Sequence, residues 1–389
     1  MGDIVFSATA GATFGYQLIW AVILGAIGII LYSEMCGRVA TVANRPVFDV
    51  VRERLGYKVG LTTLFASQFV NLMTCAAEVG GIAFVLRYLF GLPYRPLIAV
   101  ALLLLVLAIW VLPFEWIERI FGFGGLLLIV FAVAVVKLEP DWTSLAEGFI
   151  PHAETESWLV WGYFVIGVMS ATFMPYEVHF YSSGGIEDGW VQPTDLKLNR
   201  ATAFIGYGLG AVLSISIMVV AAEIFLPRGV EPGFLGAVAL AAQTPLGIAG
   251  LLLALGGMFF AIGGAAIDTA LSGAYNTAQF FGWEWGKYRR PAGAPRFTLA
   301  WMLFLLAAFV IVITGVDPVF VTELSVIFSV MALPLTYLPI LLVARDRNYM
   351  GKHANGRLAT TLAWAYLVLI VCISLAAMPL LILTNMGEG

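Results

Sequence analysis

The chain has 389 residues, 61% of them hydrophobic and 11% charged, with a formal net charge of −4 and a mean hydropathy of +0.95. Soluble domains carry roughly 25% charged residues, so this composition excludes a water-soluble globular protein and marks an integral membrane protein. The basic residues lie in short loops rather than on one face, which leaves no footprint for nucleic acid.

A spanning helix needs about 20 apolar residues. A short segment, 3–15, comes first. Spans are then expected at 17–43, 60–91, 95–112, 119–137, 157–183, 200–226, 246–281, 298–315, 321–343 and 359–384. With 3–15 counted as helix one, residues 1–389 read as a single transmembrane transporter domain. Residues 1–184 run from a remnant of helix one to helix six, 185–343 hold helices seven to ten, and 344–389 hold helix eleven and the tail. Cys36, Cys75 and Cys372 fall inside apolar segments and form neither a disulfide framework nor a zinc pattern. The start lacks the basic stretch that opens a signal peptide.

The basic loops 44–58, 284–296 and 345–357 alternate correctly with the spans if all three face the cytoplasm. The acidic stretch KLEPDWTSLAEGFIPHAETES then falls outside. All of the 20 Lys and Arg except Arg87, Arg95, Lys137 and Arg228 lie inside or at the inner boundary, and segment 3–15 heads outward.

Two helices look interrupted. One is the start, MGDIVFSATAGATFGYQ; the other is TFMPYEVHFYSSGG, residues 172–185, where Pro175 removes a backbone donor in mid-span. Broken helices are tolerated at membrane depth only where the freed backbone lines a protein cavity. Paired breaks in two halves of a chain point to a transporter's binding site. Helices one to five and six to ten then form two inverted repeats.

Ionisable groups buried in a membrane are costly and usually functional. For Asp3 and Glu177, at the two breaks, the readings are cation coordination, proton coupling, or a carboxylate favoured by a half-helix dipole. Glu78, in TCAAEVGGIAF, either relays protons or pairs with Arg87. Asp268, in GGAAIDTALSG, is a proton-pathway candidate or a structural hydrogen-bonding group between closely packed small residues. Glu223 reads as a residue at the outer water boundary. Met174 offers a soft thioether, which suits transition metals over magnesium or calcium, and Pro175 frees carbonyls near Ala171. Together with a carboxylate these suit Mn²⁺ or Fe²⁺. Tyr176 either bonds a site water or fills volume. His179, five residues on, is rotated roughly 140° from Met174 and is not expected as a co-ligand.

Several stretches resemble the natural resistance-associated macrophage protein (NRAMP) family of proton-coupled divalent metal transporters, over nearly the whole chain. AGATFGYQLIW resembles the family's AGAQFGYQLLW, AAEVGGIAFVLRYLFGLP its LAEVIGTAIALNLLFGIP, and ATFMPYEVHFYSSG its ATVMPH–LHS region. DVVRERLG is similar to a family loop, and ALPLTYLPILLVARDRNYMGKHANGR to QLPFALIPLLLFTSDRRLMGEFVNGR. The resemblance implies an all-α polytopic membrane protein with the leucine-transporter-like (APC-type) fold, 5+5 inverted repeats and an eleventh helix. It also implies metal bound between helices one and six, by the Ala171 carbonyl and Met174 sulfur, and a proton role for Glu78. The chain departs from the family pattern at several places. The family's helix-one motif is DPGN; here MGD puts Asp3 where the asparagine stands, and the first half of helix one is missing. The chain is then expected either to start at an internal methionine or to belong to a branch with MGD in helix one and MPYE in helix six. Tyr176 replaces a histidine, Cys75 an aspartate, and Val326 and Ala332 two glutamines.

The reading is therefore a secondary transporter of divalent transition metal ions in a prokaryotic inner membrane. Its metal site is Asp3, Ala171 and Met174, with Tyr176 and Glu177 lining it and Glu78 and Asp268 on a proton pathway. Its partners are the metal ion, the lipid bilayer and, if coupled, protons; no resident cofactor is expected. The alternatives are the same fold with another cargo, Mg²⁺ or a small organic solute, and a non-transporting relative. No nucleophile–base pair, phosphate loop or HExxH points to an enzyme.

Overall fold

A computed structural model describes all residues of the chain except 154, 156, 231, 234, 388 and 389. Helices α1 (Gly2–Phe14), α2 (Ile19–Ala43), α3 (Val47–Leu55), α4 (Tyr57–Phe90) and α5 (Tyr94–Val111) come first. They are followed by α6 (Phe114–Gly125), α7 (Ile129–Leu138), α8 (Trp142–Glu147), α9 (Trp158–Thr172), α10 (Pro175–Glu187) and α11 (Leu196–Ile224). The chain ends with α12 (Leu235–Phe281), α13 (Pro295–Ile313), α14 (Pro318–Ala344), α15 (Arg347–Met350) and α16 (Arg357–Leu383); the described residues contain no strand.

Ten helical stretches among them are long and apolar enough to cross a membrane, one for each expected span. α6 and α7 make one of these, joined by a 3₁₀ turn at Leu126–Leu128. α9 and α10 make another. α1, with 13 residues, rises only about 20 Å, against roughly 30 Å of hydrocarbon.

Local sequence explains the ends. Pro175, Pro295 and Pro318 occupy the first turns of α10, α13 and α14, where a missing N–H costs nothing. The Asp317 carboxylate caps α14 by accepting from the Val319 N–H at 2.9 Å. Asn44 and Gly91 end α2 and α4 in the left-handed region. α12 starts eleven residues earlier than the span expected at 246–281, because a short N-terminal piece is joined to it. Pro245 and Gly247, at φ +65°, bend the chain between the two. α3 likewise precedes α4. Each of the two longest helices thus follows a short one, and α4 and α12 pack on each other.

α1 lies against α11 and α9. A Cβ on Gly11 would stand 2.1 Å from the Met218 carbonyl oxygen, so only glycine lets the two backbones meet. Gly11→Val is expected to lower the melting temperature of the purified protein by at least several degrees, since overpacking costs about 1–3 kcal/mol. Gly122→Ala, where an added Cβ meets nothing within 4 Å, is expected to leave it unchanged.

Candidate metal centre

The site forms where the start of α1 meets the break between α9 and α10. Pro175 has no N–H to offer the Ala171 carbonyl, four residues back. The Met174 N–H turns away to the Glu177 carboxylate at 3.4 Å, and the Phe173 N–H goes to the Ser170 carbonyl at 3.3 Å. The Ala171 carbonyl is thereby left without a helical partner. Met174 and Glu177 cap α10 reciprocally, the Met174 side chain accepting from the Glu177 N–H. The capping reading of Glu177 is therefore met. Asp3 makes no capping bond to its own helix. Its carboxylate accepts from the Thr172 hydroxyl at 3.3 Å, and it alone of residues 1–8 is partly open.

A Cβ on Gly2 would stand 3.5 Å from the Ala171 Cβ and 2.9 Å from Val326 Cγ2. The first turn of α1 therefore sits directly on the end of α9 and on α14. Asp3 and Glu177 are close enough for their charges to interact. Among the described residues no three His, Cys, Asp or Glu side chains converge to hold a metal by themselves. An ion here would draw on sulfur, backbone oxygen and water as well as carboxylate.

The other candidates separate. Glu78 is buried and accepts from the Met1 amine at 2.8 Å. It does not pair with Arg87, which is exposed near the end of α4, and the expected Glu78–Arg87 alternative falls, because nine residues along a helix turn the two side chains to different faces. His179 is buried away from Met174, against Asn276 and the Phe48 ring. Glu223 accepts a hydrogen bond from the Tyr16 hydroxyl. Asp268 is not locked between small residues; it lines a cavity of about 810 Å³.

That cavity is walled by α6, α10, the start of α11 and α12, and it reaches Tyr176 and Glu177. At its mouth the Glu187 carboxylate accepts from the Tyr275 hydroxyl at 2.6 Å and the Tyr288 N–H at 3.1 Å. The mouth therefore borders the basic 284–296 loop. On the opposite side the turn from α1 to α2 is covered: the Trp20 N–H donates to the Gly148 carbonyl at 3.0 Å.

Sequence reasoning missed Thr172 and the cavity carboxylates Glu115, Glu118, Glu187 and Asp188. The pattern FEWIERI, acidic at the start of an apolar helix, was the available signal for the first two.

A helix broken at Pro175 meets the first turn of α1 inside a bundle of apolar spans, and a cavity reaches the break from one side. These features define a membrane carrier of the broken-helix class. The chain belongs to the Nramp family, natural resistance-associated macrophage protein-like, whose model matches residues 2–379. It is 24% identical to a divalent metal cation transporter MntH of Deinococcus radiodurans, covering 96% of this chain and 85% of that one. The Bacillus subtilis protein of the same name is also 24% identical, over 96% of this chain and 87% of its own. Among solved structures, the Eremococcus coleocola manganese transporter superposes with a TM-score of 0.76 at 17% identity, covering 99% of this chain and 91% of that one. Mhp1, a nucleobase-cation-symport-1 family transporter, gives 0.59 at 12% identity, over 99% and 88%. Both likenesses bear out the expected fold class. Ten apolar spans and bacterial relatives make this an integral, multi-pass protein of the bacterial inner membrane.

A cysteine placed at Thr202, on the cavity wall, is expected to react with a membrane-impermeant maleimide from the cytoplasmic side alone. A cysteine at Thr143, in α8, is expected to react from the outside alone. Labelling of right-side-out and inside-out vesicles, with Cys372 replaced, checks both.

Proposed function

We propose that the protein carries a divalent transition-metal ion of the Mn²⁺ or Fe²⁺ class across the membrane by alternating access. The observation that carries this reading is the break itself: a soft sulfur at Met174, a carbonyl freed at Ala171, and the carboxylates of Asp3 and Glu177 gathered inside the bundle. The relatives' names, divalent metal cation transporter and manganese transporter, support the same cargo, and a carrier rather than an enzyme. The cavity that reaches Glu177 from the basic face, with the other side covered, corresponds to an inward-open state.

In this reading Asp3, held by Thr172, and the Ala171 carbonyl supply hard oxygens. Met174 supplies the soft ligand that sets transition metals apart from Mg²⁺. Tyr176 and Glu177 line the route inward. Val326 takes a family glutamine position and packs on Gly2, where it excludes water without ligating. Protons, if they move with the metal, pass through Glu78 and on to Asp268.

Mn²⁺ uptake into proteoliposomes tests the proposal. Saturable uptake that excess Mg²⁺ fails to block is expected, and its absence refutes the metal cargo. Met174→Ala is expected to narrow the preference for Mn²⁺ or Cd²⁺ over Mg²⁺; an unchanged preference removes the sulfur from the site. Thr172→Val deletes one hydrogen bond to a carboxylate, about 1 kcal/mol, and is expected to weaken Mn²⁺ binding roughly five-fold in titrations of the purified protein. Glu78→Gln is expected to abolish the response of uptake to a pH gradient while Mn²⁺ binding persists.

A further inference from the structure

The cytoplasmic cavity carries six carboxylates on its wall, and among the described residues no Lys, Arg or His. Four of the six are accounted for by where they stand. Glu177 caps α10. Glu187 holds the Tyr275 hydroxyl and the 287–288 backbone. Glu115 pairs with Arg119 at 2.6 Å, and Asp188 is exposed at the mouth. Glu118 and Asp268 remain. Neither makes an ion pair or hydrogen bond with a described residue, and both line this one cavity. Both also border a neighbouring cavity of about 440 Å³, lined otherwise by glycine and apolar side chains. Two carboxylates with apolar surface behind them call for a counter-charge in front.

A second observation points to what supplies it. Tyr176, only 7% exposed, lines the same cavity, and its hydroxyl bonds to no described residue. A buried phenol without a partner, opening on the space between carboxylates, matches a ligand that arrives with its own oxygens. Among the described residues no three acidic side chains converge on one point, so a bare ion is not held. A divalent ion keeping six waters takes up roughly 200 Å³, which the cavity accommodates.

We propose that Glu118 and Asp268, with the Tyr176 hydroxyl, hold a hydrated divalent cation at a second site, on the cytoplasmic side of the helix break. It is a staging site for the ion leaving Asp3 and Met174, and so it rests on the transport reading above. Its ligands are all hard oxygens, which do not discriminate against Mg²⁺ as a thioether does. Mg²⁺ therefore occupies this second site without competing at the first.

The test counts Mn²⁺ bound per purified full-length chain, from the spin-resonance signal of free Mn²⁺, with and without excess Mg²⁺. Wild type is expected to bind two Mn²⁺ and release one to Mg²⁺. Glu118→Gln with Asp268→Asn is expected to bind one, which Mg²⁺ does not displace. Met174→Ala is expected to keep the Mg²⁺-displaceable ion. Glu115→Gln, which removes a charge from the same cavity, is expected to leave the count at two. If the double variant does not fold, as judged by its melting curve, Asp268→Asn alone carries the test. A single Mn²⁺ in wild type, a Mg²⁺-displaceable ion that survives loss of both carboxylates, or equal loss in Glu115→Gln overturns the second site. Those results leave the transport reading standing if Mn²⁺ uptake persists; no Mn²⁺ uptake overturns the transport reading instead.

Discussion

Inside a bilayer no water is present to meet a backbone group that its own helix abandons, and each one left unmet costs several kcal/mol. Pro175 imposes that problem at the middle of a span. The solution is visible in the neighbours. The Met174 N–H takes the Glu177 carboxylate, the Met174 side chain takes the Glu177 N–H, and the turn before the break is closed by Phe173 and Ser170. The Ala171 carbonyl is among those that these bonds do not repair. The first turn of α1 packs on Ala171 and on Val326, so this end of α9 is covered by protein rather than lipid. The metal chemistry proposed for this chain follows from what that single proline leaves undone.

Holding such a break requires a rigid surround. α2 is packed so closely on α9 that a Cβ on Gly25 would stand 2.8 Å from the Thr172 Cβ. The single Thr172 hydroxyl proton is shared with the Val168 carbonyl at 2.8 Å. The same hydroxyl reaches Asp3, so the position of the carboxylate is set by contacts on a helix it does not belong to. α4 and α12, which carry Glu78 and Asp268 from opposite halves of the chain, pack on each other. The two carboxylates sit in different settings: Glu78 is sealed in the bundle and Asp268 opens on the cavity.

The fold was legible to a large degree because lipid restricts the choices. Stretches of about 20 apolar residues admit few readings, and Pro175 announces its break wherever it stands. The span expected at 246–281 shows where that logic stops. Its helix starts at Leu235, since Pro245 and Gly247 bend the chain without ending the hydrogen-bonded run. At the site, Met174, Asp3 and Glu177 could be singled out as unusual residue types at membrane depth. Glu118, though visible in FEWIERI, could not be given a role, because a glutamate near a helix start reads as an ordinary boundary residue until the opposite wall is known.

The sequence by itself determined the membrane setting, the number of spans and the break at Pro175. All of these follow from hydropathy and one missing N–H, which are properties of the chain read locally. Only the tertiary structure decided who faces whom. Thr172 and Asp3 are 169 residues apart, Glu118 and Asp268 come from different repeats, and Arg87, the nearest basic residue to Glu78 along the helix, is turned away from it. A residue's type states what it can bind; its partner depends on how helices cross, and crossing is fixed by close contacts such as Gly11 on Met218 that no local pattern specifies.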